Sequence, residues 1–135
     1  MLLRITKLLE RNAVKIAIIV TIIVAILSLT SVPKLNFSLK INFADKYLHA
    51  FVYFILSTIW FFALRKKLKK FQFKIFSILN LTLYGALLEI LQGGLTNYRT
   101  ADFYDFLANT LGIIIAALLF NPIHKKLLYN LKKYL

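Results

Sequence analysis

The residues of this chain that can carry acid–base or binding chemistry stand at the ends of long apolar runs. The candidate set is Asp45, Lys46, His49, Glu89, Gln92, Arg99, Asp102, Asp105 and Asn109. Ionisable groups are costly inside a membrane, and where they occur they mark functional sites or structural ion pairs. These residues therefore define the candidate site, and the apolar runs are the elements that must position it.

His49 and the carboxylates around it offer the most specific chemistry. A carboxylate beside a histidine orients and charges the imidazole, so His49, Glu89 and Asp105 are the candidate catalytic residues. The same three residues with Asp45 offer the mixed oxygen and nitrogen ligands of a divalent-cation site. The guanidinium of Arg99 suits a phosphate or carboxylate. The residues predicted to bind a substrate are Asp45, Lys46, Gln92, Arg99, Asp102 and Asn109. Neither a reaction nor a metal is specified, so whether the chain is an enzyme stays open.

Several of these residues also have a structural explanation. Asp45 can cap the N-terminus of one helix, and Asp102 and Asp105 can cap another. Glu89 can form an ion pair that ties two helices together. Asn109 can form an interhelical hydrogen bond, which is worth about 1 kcal/mol or less.

Length and composition indicate one small membrane domain over residues 1–135. The chain is 60% hydrophobic, and its apolar runs approach the roughly 20 residues that a helix needs to cross a bilayer. We predict an all-α integral membrane bundle of four transmembrane helices. The predicted spans are about 16–32, 46–64, 75–92 and 103–120. Residues 123–135 place leucines and lysines on opposite sides of a helix, which predicts a C-terminal amphipathic surface helix.

Local signals predict how the spans end and pack. Pro33 is expected to end the first helix, and Gly93-Gly94 the third. Strict alternation of apolar and polar residues over 35–43 predicts an extended loop on the bilayer surface. Gly112, with an alanine four residues away on either side, forms a small-xxx-small pattern that lets another helix approach closely.

The distribution of basic residues predicts the orientation. The net charge is +13, and 14 of the 18 Lys and Arg residues precede the first span, separate the second from the third, or follow the fourth. The positive-inside rule therefore places both termini in the cytoplasm and the candidate residues at the outer face of the membrane. Because these basic residues cluster at the ends of apolar runs, nucleic acid is not expected as a partner.

The first apolar run allows a second interpretation. A basic start followed by an apolar stretch is also typical of a cleaved signal peptide. This run exceeds the roughly 7–15 residues of a signal core, so we favour a retained transmembrane helix.

The order and spacing of the candidate residues resemble the VanZ-like family of small bacterial membrane proteins. The matching pieces are Asp45-Lys46-x-x-His49 with Tyr53, Glu89-x-x-Gln92, and Arg99-x-x-Asp102-x-x-Asp105-x-x-x-Asn109-x-x-Gly112. The resemblance covers about residues 45–118 and implies a bundle of about four transmembrane helices in the cytoplasmic (inner) membrane of a bacterium. Asp102 departs slightly from it, because a small polar residue is expected there as often. The family's namesake is associated with low-level teicoplanin resistance, which makes a link to glycopeptide tolerance an expectation from the resemblance alone.

Three function hypotheses follow. The first is an outward-facing site that binds, or binds and modifies, an envelope lipid or a lipid-linked glycan. The second is a non-catalytic scaffold or binding protein whose polar residues lock the bundle. The third is a proton-coupled transport component with Glu89 and His49 as a relay; it ranks lowest because the polar residues stop in the outer third of the spans. Membrane lipids are the expected partners, and the sequence does not specify an oligomeric state.

A single introduced cysteine tests the predicted orientation. The chain contains no cysteine, so Asn97→Cys would place one reactive thiol in the predicted outer loop. We expect a membrane-impermeant maleimide to label it in intact spheroplasts. Lys69→Cys, in the basic loop, should be labelled only after the membrane is permeabilised. The opposite pattern would invert the topology.

Overall fold

Four α-helices form the described part of the chain. The computed structural model describes residues 2–30, 44–95 and 102–133, with side chains over 8–30, 44–95 and 102–126. The helices are α1 (Leu2–Leu29), α2 (Ala44–Ala63), α3 (Phe71–Leu95) and α4 (Phe103–Lys133). These residues include no strand, which confirms the all-α prediction. Pro33, the segment 35–43 and Arg99 lie outside the described residues.

Each helix contains a stretch that is long and apolar enough to cross a membrane. These stretches are Leu8–Leu29, Ala44–Ala63, Phe71–Leu95 and Phe103–Lys126. Large apolar side chains cover their outer faces, among them Ile19, Leu83 and Leu118, which are more than half exposed. So much exposed apolar surface is typical of a protein in contact with lipid. The chain is therefore a multi-pass membrane protein.

Small and polar side chains occupy much of the space between the helices. Ala17, Ala108, Ala116 and Ala117 are buried. The buried polar side chains of the described residues are Ser57, Ser77, Glu89, Gln92, Asp105 and Asn109. Because lipid is as apolar as leucine, helices in a membrane associate through close packing and interhelical hydrogen bonds. This interior follows that rule.

The most extensive helix–helix contact joins α2 to α4 and depends on Gly112. α1 packs mainly against α2, and α3 packs mainly against α4. A Cβ atom at position 112 would overlap the carbonyl oxygen of Ala50 and lie 3.0 Å from the backbone nitrogen of Phe54. The small-xxx-small pattern predicted close packing of α4, and Gly112 is the position where backbone meets backbone.

Both α1 and α3 extend further than predicted. α1 begins at Leu2 instead of near residue 16, and its basic residues Arg11 and Lys15 are exposed. A helix can continue beyond the bilayer once its charged side chains reach water, so the start of an apolar run need not be the start of the helix. α3 continues through Gly93-Gly94 to Leu95. A glycine in a helix costs about 1 kcal/mol relative to alanine, which weakens a helix without ending it.

The prediction of a separate amphipathic surface helix over residues 123–135 is wrong. α4 continues through Pro122 to Lys133 as one helix, and it is apolar over Phe103–Lys126. Proline removes one hydrogen-bond donor from the helix, but transmembrane helices often tolerate that loss. The basic C-terminal segment is therefore an extension of α4.

Hydrogen bonds and one ion pair attach α1 to the other helices. Trp60 Nε1 donates a 2.9 Å bond to Thr21 Oγ1, and the Tyr84 hydroxyl donates a 2.6 Å bond to the Thr21 carbonyl oxygen. At the basic end of the bundle, Arg65 Nη2 lies 2.9 Å from Glu10 Oε1. The basic run between the second and third spans predicted only the orientation of the chain, and the spacing of these residues does not reveal their contacts.

Replacing Gly112 with alanine should loosen the α2–α4 contact. The added methyl group would meet the backbone of α2, so we expect the free energy of unfolding to fall by at least about 2 kcal/mol. Thermal unfolding of the purified chain in detergent, followed by circular dichroism, measures the change.

Gly94→Ala is the matched control, because nothing lies within 4 Å of a Cβ atom there. Alanine favours the helix, so this variant should be as stable as the parent or up to about 1 kcal/mol more stable. Equal stabilities of Gly112→Ala and Gly94→Ala would contradict the packing.

Candidate functional site

Most of the predicted site residues lie together at one end of the bundle. This is the end where α2 begins, α3 ends and α4 begins, and we call it the Asp45 end. The residues brought together are Asp45, Lys46, His49, Glu89, Asp102, Asp105 and Asn109, and we call them the polar cluster. They come from three helices and the residue preceding α4, and their functional roles remain predictions.

Lys46 joins the start of α2 to the start of α4. Its Nζ donates hydrogen bonds to Oδ2 of Asp102 and Oδ1 of Asp105, and Asp45 Oδ2 lies 4.0 Å away. The Asp105 side chain is only 9% exposed, whereas that of Asp102 is 35% exposed. A buried carboxylate needs a charged or hydrogen-bonding partner, and Lys46 supplies both to Asp105. We call this arrangement the Lys46 bridge.

Asp102 also caps α4. Its Oδ1 accepts a 2.8 Å hydrogen bond from the backbone N–H of Tyr104, as expected for an aspartate just before a helix. The hydrogen bond from Lys46, and then that from Tyr104, hold the pKa of Asp102 below its ordinary value. Asp102 is therefore a carboxylate at neutral pH. It caps α4, as considered from the sequence, and also takes part in the Lys46 bridge. Asp105 lies within the first turn of α4, as Asp45 does in α2.

The imidazole of His49 lies at the centre of the polar cluster. The side chain is 11% exposed. Its Nδ1 is 3.1 Å from Asn109 Oδ1 and 3.6 Å from Glu89 Oε1. Its Nε2 is 3.6 Å from Asp105 Oδ2 and 3.8 Å from Asp45 Oδ1. Carboxylates thus face both ring nitrogens.

Asn109 determines which nitrogen of His49 carries the proton. Asn109 Nδ2 donates a 3.3 Å hydrogen bond to Glu89 Oε1, so its Oδ1 is directed to His49 as an acceptor. His49 Nδ1 must then be the donor in their 3.1 Å contact. In a neutral imidazole this leaves a lone pair on Nε2, which faces Asp45 and Asp105.

Glu89 borders a shallow cleft between α3 and α4. Its side chain is 8% exposed, and among the described residues its Oε2 has no hydrogen-bond partner. The cleft has a volume of about 400 Å³ and is lined by Ala86, Glu89, Ile90, Asp102, Phe103 and Phe106. Ile90 and Phe103 are 67% and 68% exposed, so the cleft opens sideways towards lipid. The lining is mostly apolar, and Glu89 and Asp102 are its charged residues.

Two predicted site residues stand apart from this description. The amide nitrogen of Gln92 donates a 2.8 Å hydrogen bond to the Ser28 carbonyl oxygen, which attaches α3 to α1. Arg99 lies outside the described residues, so its contact with an anion stays a prediction. One turn below His49, the Tyr53 ring faces Gly85, where a Cβ atom would lie 3.1 Å from the ring. Tyr53 belongs to the motif noted in the sequence and lies on the same face of α2 as Asp45 and His49.

The charge of the polar cluster is opposite to that of the whole chain. Four carboxylates surround one ammonium and one imidazole, whereas the chain has a net charge of +13. Such a site attracts cations and hydrogen-bond donors. His49 has the neighbours of a general base, but its burial restricts direct access of a substrate to the ring.

Lys46→Met should destabilise the chain by about 1–3 kcal/mol at neutral pH, because the buried Asp105 carboxylate would lose its charged partner. Asp102 contributes less, because its partly exposed carboxylate is screened by water. Thermal unfolding in detergent measures this difference. Lys125→Met, at an exposed lysine of α4, is the matched control and should leave the midpoint unchanged.

The effect of Lys46→Met should also depend on pH through Asp102, whose pKa the hydrogen bond from Lys46 lowers. A carboxyl group whose pKa is lowered on folding stabilises the fold above its unfolded pKa, near 3.9 for aspartate, and loses that contribution as the pH falls through its folded pKa. The difference between the parent and Lys46→Met should therefore be full at pH 7 and shrink below about pH 4. A difference that is constant from pH 7 to pH 3 would contradict the Lys46 bridge.

Comparison with known proteins identifies the family. The family model described as VanZ/LLP1 matches residues 4–127 of the chain. No curated protein and no solved structure matches it. The matched region contains all four apolar stretches and every candidate residue. This agrees with the resemblance seen in the sequence. The chain is a multi-pass membrane protein that belongs to the VanZ/LLP1 family.

Proposed function

We propose that the Asp45 end faces outward and binds the headgroup of an envelope lipid or a lipid-linked glycan from the side. The observation that carries this proposal is the cleft between α3 and α4, whose mostly apolar lining opens to lipid and includes the carboxyl groups of Glu89 and Asp102. An amphiphile has the same division into a polar and an apolar part.

The orientation is supported by the basic residues at the opposite end of the bundle. Arg11 and Lys15 lie on the first half of α1, and the turn between α2 and α3 carries a dense basic run from Arg65 to Lys70. Under the positive-inside rule this end is cytoplasmic. The polar cluster then lies in the outer leaflet of the inner membrane, where envelope lipids and lipid-linked glycans present their headgroups.

The chemistry of the polar cluster favours a ligand rich in hydrogen-bond donors. Four carboxylates accept hydrogen bonds and do not donate them, and Glu89 Oε2 has no donor among the described residues. Buried carboxylate oxygens are normally hydrogen-bonded. A headgroup with hydroxyl or amine groups would provide the missing donors, as sugars and amine-bearing lipids do.

Binding is better supported than turnover. His49 is largely buried, and the residues facing its two nitrogens all belong to the chain. We therefore propose recognition of a lipid headgroup as the primary activity. Modification of the bound ligand would be a second activity of the same site. The glycopeptide tolerance that the family resemblance implies would be one consequence of such binding.

The transport hypothesis has less support. Below His49, the hydroxyls of Tyr53 and Ser57 are buried and lack hydrogen-bond partners among the described residues. Further towards the basic end, the core contains Phe61, Leu68 and Leu81. A proton path would have to cross this apolar layer, so a relay from Glu89 through the bundle is not our proposal.

Photocrosslinking at the cleft tests the proposed binding. A benzophenone amino acid at Ile90, on the wall of the cleft, should capture a specific class of envelope lipid in cells, identified by mass spectrometry of the crosslinked peptide. Glu89→Gln should reduce this capture severalfold, because the carboxylate that faces the headgroup is neutralised. Thermal unfolding of the variant establishes that it still folds.

Leu83 is the matched position for the same crosslinker. Leu83 and Ile90 are both 67% exposed and lie seven residues apart on one face of α3. Leu83 is not part of the cleft lining, so it should capture bulk phospholipid in proportion to its abundance, with or without Glu89→Gln. Identical lipid profiles at the two positions would contradict the proposal, and a Glu89→Gln chain that fails to accumulate would favour the scaffold hypothesis.

A further inference from the structure

We propose that His49, Asp45 and Asp105 bind one divalent transition-metal ion, of which Zn²⁺ is the type case. One donor atom from each of these residues lies within 4.8 Å of the other two. This inference concerns the Nε2 side of His49, away from the lipid cleft bordered by Glu89, and it does not depend on lipid binding.

The first argument is the direction of the His49 lone pair. The Nδ1 proton is held by Asn109 Oδ1 at 3.1 Å, so Nε2 of the neutral ring is an acceptor. Within the described residues, Nε2 forms no hydrogen bond; its neighbours are carboxylate oxygens of Asp105 at 3.6 Å and Asp45 at 3.8 Å. A ring lone pair and two carboxylate oxygens that face one another repel, and a cation between them removes that repulsion.

The second argument is the support behind the imidazole. A histidine that ligates a metal through one nitrogen usually donates its other N–H to an oxygen acceptor, which fixes the tautomer and the ring orientation. Asn109 provides that acceptor for His49, and Glu89 orients Asn109 in turn through a 3.3 Å hydrogen bond. Glu89 is itself 8% exposed, so this support is buried in the bundle.

The separations between donor atoms fit a metal ion. Zinc ligands lie about 2.0–2.2 Å from the ion, so two of them are no more than about 4 Å apart. The separations of 3.6 Å and 3.8 Å from Nε2 to the two carboxylates satisfy this limit, and the two carboxylates lie within 4.8 Å of each other. Asp45 is 50% exposed, which gives an ion a route from solvent and lets this side chain adjust around it.

The Lys46 bridge leaves the required carboxylate oxygens available. Lys46 contacts Oδ1 of Asp105, whereas Oδ2 of Asp105 is the oxygen nearest His49 Nε2. The ammonium therefore stands beside the metal position and opposes the ion by charge repulsion. It lowers the affinity of the site without occupying it.

The ligand types favour zinc over magnesium. Magnesium prefers oxygen ligands in octahedral geometry, whereas imidazole suits zinc and neighbouring transition metals. Two carboxylates and one imidazole leave a position for water or a ligand atom, as in zinc sites with three protein ligands. A zinc ion there would supply a Lewis acid at the outer surface of the bundle.

Calorimetric titration of the chelator-treated chain in detergent tests the proposal with Zn²⁺ and Mg²⁺ as probes. We expect one Zn²⁺ per chain and at least tenfold weaker binding of Mg²⁺. His49→Gln and Asp45→Asn should each weaken Zn²⁺ binding at least tenfold, and Lys46→Met should strengthen it because the competing ammonium is removed. Asp45 is half exposed, so its variant is expected to fold even if His49→Gln does not.

His124→Gln is the matched control, since the chain has two histidines and His124 stacks on Phe120 at the basic end. It should bind Zn²⁺ like the parent. Binding that survives both His49→Gln and Asp45→Asn, binding lost equally in His124→Gln, or no binding by the parent would overturn the proposal. Crosslinking at Ile90, repeated with chelator, separates the two claims: lipid capture without Zn²⁺ binding refutes the metal site alone, and Zn²⁺ binding without selective capture refutes the lipid proposal alone.

Discussion

The ammonium of Lys46, held between Asp102 and Asp105, is the interaction on which the rest of the site depends. It allows a buried carboxylate to remain at the start of a transmembrane helix, where an uncompensated charge would be costly. It also joins the first turns of α2 and α4. Every other contact of the polar cluster is made next to this bridge, because Asp105 faces His49 with the oxygen that Lys46 does not use.

Close packing of α2 and α4 makes this bridge geometrically possible. Gly112 lets the two backbones meet at Ala50, the residue directly after His49. Asn109, one turn before Gly112 in α4, reaches His49. Glu89 is then added from α3 through Asn109. The site is thus assembled from three helices by one glycine contact and a short series of hydrogen bonds. Its acidic character and its neighbouring cleft are consequences of this assembly.

The sequence predicted the parts of this structure that depend on composition and helical spacing. The four apolar stretches were predicted from their length, and the joint position of His49, Glu89 and Asp105 followed from their places near helix ends. The small-residue pattern around Gly112 correctly indicated close packing of α4. These features have strong physical causes that act within one helix or at its ends.

Other features could not be predicted because they depend on contacts between helices. The hydrogen bonds that Thr21 receives from Trp60 and Tyr84 follow no spacing rule, and neither does the pairing of Glu10 with Arg65. Residues 103–120 and 123–135 were expected to form two helices, yet α4 continues through Pro122, because a long transmembrane helix can tolerate a single missing donor.

A structure of the chain determined in a lipid nanodisc is the most direct test of the central claim, which is that the polar cluster and the adjoining cleft form one lipid-headgroup site. The account predicts Lys46 between Asp102 and Asp105, with headgroup density beside Glu89 and an acyl chain along Ile90 and Phe103. A cleft closed by direct contact of α3 with α4, with ordered lipid only elsewhere on the bundle, would contradict it.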